Sequence, residues 1–103
     1  MTEYPKEVYS EAGWKVEFTS RAFKQNSKLP LRIREVLFHL VREIEKIGPV
    51  RGDWPNYSKL ADGRHHCHLK KGRPTYVAVW QEIAGRIKVV EVVYVGSHEK
   101  APY

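Results

Sequence analysis

The chain has 103 residues, 42% hydrophobic and 29% charged, with a formal net charge of +6 at pH 7. That length fits one domain with a single modest core, and no apolar run approaches membrane-spanning length, so no membrane span is expected. One cysteine, Cys67, excludes an internal disulfide, and the basic excess favours polyanions, acidic partner proteins or anionic membrane surfaces, without choosing among them.

Residues 1–13 are polar, carry Pro5 and Gly13, and read as an irregular arm without a signal-peptide core. A cytoplasmic protein is the expectation. Trp14-Lys15-Val16-Glu17-Phe18-Thr19 alternates apolar and polar residues, as a half-buried strand does. Thr19 or Ser20 can cap a short helix through Arg21-Ala22-Phe23-Lys24. The spacing predicts a long helix over residues 30–47. Pro30 suits the first turn, and Ile33, Val36, Leu37, Leu40, Val41, Ile44 and Ile47 fall on one face. Gly48-Pro49 is a stop signal.

Residues 49–63, with Pro49, Gly52, Pro55, Asn56 and Gly63, read as a loop. Three strands are expected next: 65–71, then 75–83 after the turn Gly72-Arg73-Pro74, then 87–95 after the hairpin turn Ala84-Gly85-Arg86. The order strand, helix, helix, strand, strand, strand gives an α+β domain spanning 1–103. Its mostly antiparallel four-stranded sheet would carry both helices on one face and leave the other free.

The stretch His65-His66-Cys67-His68-Leu69-Lys70-Lys71 draws attention. It holds three of the five histidines. On a strand, His66, His68 and Lys70 point to one side, while His65, Cys67 and Leu69 point to the other. The second set suits the core and the first the open face. Zinc fits poorly, because a structural zinc takes about four ligands in paired short spacings. Cys67 faces away from His66 and His68, and no second pair exists. Of the acids, Asp62 is near the motif, while Asp53 belongs to the loop. No cofactor is implied.

The chain closes with Val95-Gly96-Ser97-His98-Glu99-Lys100-Ala101-Pro102-Tyr103. A valine-rich strand running into a His…Tyr tail, after Leu69-Lys70-Lys71-Gly72-Arg73 and Tyr76-Val77-Ala78-Val79-Trp80, resembles the RelE/ParE toxin superfamily over residues 14–103. The resemblance implies the toxin of a type II toxin–antitoxin module. Its partners would be a cognate antitoxin, the ribosome and mRNA, and its activity metal-free cleavage of that mRNA. It also admits two alternatives: a ParE-like inhibitor of DNA gyrase that is not an enzyme, and a plain nucleic-acid-binding domain.

The resemblance implies the following roles. His98 stands where the family carries a catalytic Arg or, in HigB- and YafQ-like members, a His, and would act as general acid. Tyr103 matches the family tyrosine that stacks on a base or takes the 2′-OH proton. Arg73, slightly before the family's strand arginine, would clamp the phosphate, because a guanidinium grips phosphate in two places. Lys70 would join the catalytic set. With Lys71 it would hold the RNA backbone and lower any nearby phenol pKa. His66, His68, Lys71 and Lys100 would bind RNA, and either of the first two could serve as base, since a histidine pKa of about 6.5 lies near neutrality. The plainer readings are a surface histidine at 98, a frayed tail at 103, a solvated turn at Arg73 and edge-strand lysines that block aggregation.

Overall fold

The computed structural model describes residues 13–70 and 72–103. Residues 1–12 of the expected arm, and Lys71, lie outside the described residues. Strand β1 (Lys15–Phe18) leads into helix α1 (Ser20–Ser27) and helix α2 (Leu31–Ile47). Strands β2 (Ser58–Lys59), β3 (His65–Lys70), β4 (Tyr76–Glu82) and β5 (Val89–Ser97) follow, then a 3-10 turn (His98–Lys100).

Local chemistry accounts for the helices. Thr19 Oγ1 accepts from the Ala22 N–H at 3.0 Å, satisfying one free donor of the first turn of α1. Pro30 precedes α2, and Ile33, Leu37, Leu40 and Ile44 are its buried face, with Val36 and Val41 packed beside them, on the helical spacing read from the sequence. Ile47, expected on the same face, is instead exposed at the helix end. Gly48 ends it with φ +99°, and a Cβ there would meet Trp14 Nε1 at 3.0 Å. Glycine is needed both for the backbone angle and for the indole's approach.

The sheet has five strands in the order β1-β5-β4-β3-β2, one more than expected. The addition, β2, is two residues long and pairs with β3 through Ser58↔His66 and Lys59↔His65. Two residues carry no readable alternation, so the sequence shows only loop there. β1 pairs with β5 in parallel, and the other pairings are antiparallel. The α1–α2 segment thus carries the chain across one face, while the hairpins build the rest. The last strand begins at Val89 rather than at residue 87. Ile87 is 90% exposed, and Lys88 adopts φ 56°, so the turn is longer than the three residues expected.

Both helices pack on one sheet face, where Ala22, Leu37, Leu40 and Ile44 meet Cys67, Trp80 and Val92. Trp80 is fully buried, and its indole N–H donates to the Pro49 carbonyl at 2.9 Å. The opposite face carries a smaller cluster of Val77, Val79 and Tyr94, flanked by Leu60 and Ala101. A bulge between the Val79↔Tyr94 and Trp80↔Val92 pairs adds one residue to β5. Before it, Val90 and Val92 face the helices. After it, Val95 does, a change of phase that a bulge produces.

Candidate active site

The helix-free face of the sheet gathers four aromatic rings. His66 and His68, two residues apart on β3, point the same way, as strand alternation requires. Their centroids are 5.9 Å apart. His98 approaches His68 at 5.5 Å. Tyr103 lies 6.0 Å from His98 and 4.7 Å from His66. Each ring contacts two others, so the four close a circuit.

Backbone elements hold these rings in place. The His98 N–H donates to the Thr75 carbonyl at 2.8 Å, tying the 3-10 turn to the start of β4. Tyr94 folds back over Gly96 to donate to the Ser97 carbonyl at 2.8 Å. A Cβ on Gly96 would meet the Tyr94 hydroxyl at 2.7 Å, so this glycine permits the fold-back. Beside β3, Ser58 Oγ shares a hydrogen bond of 3.0 Å with His66 Nδ1. That contact leaves Nε2 as the other ring nitrogen available for chemistry.

The electrostatics separate the four groups. Burial pulls the His66 pKa below the usual histidine value; a hydrogen bond to the Ser58 backbone opposes this, and the nearby His98 adds to the lowering. Burial also lowers His68, followed by the charges of His66 and His98. Both imidazoles are therefore driven towards the neutral form, which can accept a proton. Burial raises the Tyr103 phenol, with Tyr94 and Cys67 acting in the same direction. This reverses the expectation that cations would depress a phenol pKa here. The Lys70 ammonium is directed to the Arg73 and Pro74 carbonyls, at 3.5 and 3.2 Å.

The remaining expected residues do not join the circuit. Arg73 is exposed in the turn after β3. Lys100 lines a hollow of about 330 Å³ beside α1, with Arg21, Gln25 and Lys28. His65 faces the core, its ring parallel to Trp80 at 5.8 Å and its Nδ1 bonded to the Tyr57 hydroxyl at 2.7 Å. Burial lowers its pKa, so its Nε2, 4.0 Å from Glu82, forms no ion pair while the ring is neutral. Burial likewise pushes the Cys67 thiol up to about 12. Among the described residues, no group of three or more His, Cys, Asp and Glu side chains is arranged to hold a metal ion.

Sequence reasoning missed two residues. Ser58 reaches His66 across a strand pair that has no pattern in the chain. Arg64 reaches the tail, with its Nη2 donating to the Pro102 carbonyl at 2.9 Å. The only local signal was the Asp62-Gly63-Arg64 turn, typical of a side chain that folds onto its own backbone.

No family model matches the chain, and no curated protein does. Solved structures do. The free state of an E. coli RelE toxin carrying two Arg-to-Ala substitutions superposes with a TM-score of 0.63 at 28% identity, over 84% of this chain and 85% of that one. The isolated E. coli RelE toxin gives 0.62 and 26%, covering 86% and 88%. RelE in the intact E. coli RelBE toxin–antitoxin complex gives 0.58 and 25%, covering 82% and 95%. The chain is RelE-like: it is similar to these RelE toxins in fold and over most of its length. The RelE-like order of elements, read from residue 14 onward, is thus shared with the solved toxins over most of both chains.

Proposed function

We propose that this RelE-like chain is the toxin of a type II toxin–antitoxin pair and cuts mRNA on the ribosome. The observation that carries the proposal is the circuit of His66, His68, His98 and Tyr103 on the face the helices leave uncovered. The net charge of +6 and the likeness to RelE toxins, one of them held in a toxin–antitoxin complex, support it.

Cleavage needs a base for the ribose 2′-OH, an aligned phosphate, a counter-charge and an acid for the leaving oxygen. His66 takes the 2′-OH proton on Nε2, since burial favours its neutral form and Ser58 fixes Nδ1. The 2′-oxygen attacks the adjacent phosphorus, and the bond from phosphorus to the 5′-oxygen breaks. His98 protonates that oxygen. The products are a 2′,3′-cyclic phosphate and a 5′-OH. His68 holds the phosphate from the flank, and Lys71 and Arg73, the latter exposed in the turn after β3, supply counter-charge. Tyr103, with its raised pKa, stays a phenol and serves as a stacking surface and hydrogen-bond donor. Each proton-transfer group contributes about 10²- to 10⁴-fold.

The partners are then the ribosome with its mRNA, in the cytoplasm, and a cognate antitoxin that covers the basic protein. Among the described residues no helix is long and apolar enough to cross a membrane. The test is a translating extract supplied with the purified protein, with mRNA ends mapped in the presence and absence of chelator. Cuts that appear only on ribosome-bound message and persist in chelator are expected. A loss of DNA supercoiling activity without any cut would instead favour gyrase as the target.

A further inference from the structure

Residues 101–103 add no strand to the sheet, yet they hold a defined position over it. Ala101 packs against the Val77, Val79 and Tyr94 cluster. Beyond it, the Arg64 guanidinium donates to the Pro102 carbonyl. Arg64 is itself held by Asp62, whose carboxylate accepts from Nε at 2.6 Å and from the Arg64 backbone N–H at 3.1 Å. The Leu60 N–H closes the same turn on the Arg64 carbonyl at 2.6 Å. Though it lies on the surface, the Arg64 side chain is only 21% exposed. The turn therefore presents the guanidinium in a fixed orientation, and the carbonyl it holds belongs to the residue immediately before Tyr103.

We propose that Arg64 is a positioning residue for the active site: by holding the Pro102 carbonyl it sets the Tyr103 ring against His66. A guanidinium suits this task because its planar fork binds a carboxylate and still directs a free N–H elsewhere. Hydrogen bonds with a charged partner are also the stronger kind. Without the tether, the Pro102 ring fixes only its own φ, and Tyr103 has only its own ring contacts to keep it over His66. Those rings are separately exposed and buried, Tyr103 at 46% and His66 at 9%. The Tyr103 ring, 4.7 Å from His66, is one of the groups that cover it. The placement rests on geometry alone. Its catalytic consequence rests on the proposed cleavage.

The test has one readout that needs no activity. In the wild-type protein, the Tyr103 and His66 ring protons should show a nuclear Overhauser contact. In Arg64→Ala that contact disappears, while the contact between His65 and Trp80 persists and reports an intact core. Arg64→Lys, which can still donate to Pro102, keeps part of the intensity, and Arg64→Gln keeps less. These two variants decide the matter should Arg64→Ala not fold. Equal Tyr103–His66 intensity across wild type and every folded variant overturns the proposal. In the cleavage assay, Arg64→Ala should lower kcat about tenfold, with KM within about twofold, because misplacing a reacting group costs rate more than binding. Arg64→Lys should recover part of the loss at an unchanged melting temperature. If the wild-type protein cuts no RNA, the cleavage reading fails, while the ring contact still decides the tether.

Discussion

His66, His68 and Tyr103 are displaced in opposite directions by the same cause. Burial disfavours the charged form of each, so the imidazoles go down and the phenol goes up. The folded protein therefore binds fewer protons on His65, His66 and His68 than the unfolded chain just below the usual histidine value of about 6.5. Stability from these groups is fully present above that value. It is lost as pH falls from there through the lowered folded pKa values. Thermal melts at pH 7.5 and 5.5 should show a lower Tm at the acid pH, and a His66→Gln, His68→Gln variant should show a smaller drop. Tyr103→Phe keeps the ring and should retain more cleavage than Tyr103→Ala. If the phenol were the base, the two would be equally damaged. Cys67 is fully buried, with its thiol pushed up to about 12. Thiol reagents should label it only once the protein unfolds.

The elements differ in how openly the sequence declares them. Helix α2 was legible because its core is one-sided, and an apolar residue every three or four positions over five turns marks a helix buried along one stripe. Leu40→Ala should cost about 2–5 kcal/mol by chemical denaturation, because Leu40 is 1% exposed. Gly48→Ala should cost more than about 1 kcal/mol, since it forces a Cβ into the left-handed region beside Trp14. The alternation of β3 likewise told which histidines share a face. The bulge at Val93 could not be read, because a valine run satisfies either phase until the register of β4 fixes it. Strand β2 was illegible for a related reason. Ser58 and Lys59 are strand only because β3 lies beside them. The same limit hid Ser58 and Arg64 from the site, since Ser58 acts across 8 residues and Arg64 across 38 on partners that only folding brings close. The circuit's other members were visible as residue types, but their closure was not. Lys100, grouped with them in the sequence, instead lines the hollow beside α1.

For the molecule as a whole, the helices cover one sheet face and leave the other to the four rings. Some of the positive charge gathers in two places at the surface. Arg21, Lys28 and Lys100 gather at one hollow, and Lys70 and Arg73 sit at the turn after β3. Binding to single-stranded RNA should therefore weaken steeply with salt, with a slope of about −0.7 per phosphate contacted. A titration by fluorescence anisotropy at several salt concentrations checks it, and a flat response would remove the electrostatic contribution. The central claim is that the ring circuit performs the cut. Its most direct test compares the wild type with a His98→Ala, Tyr103→Ala double variant in a translating extract, mapping mRNA ends by their chemistry. The account predicts 2′,3′-cyclic phosphate and 5′-OH ends from the wild type, and loss of those ends in a variant that still folds. Cutting at full strength by the double variant would contradict it.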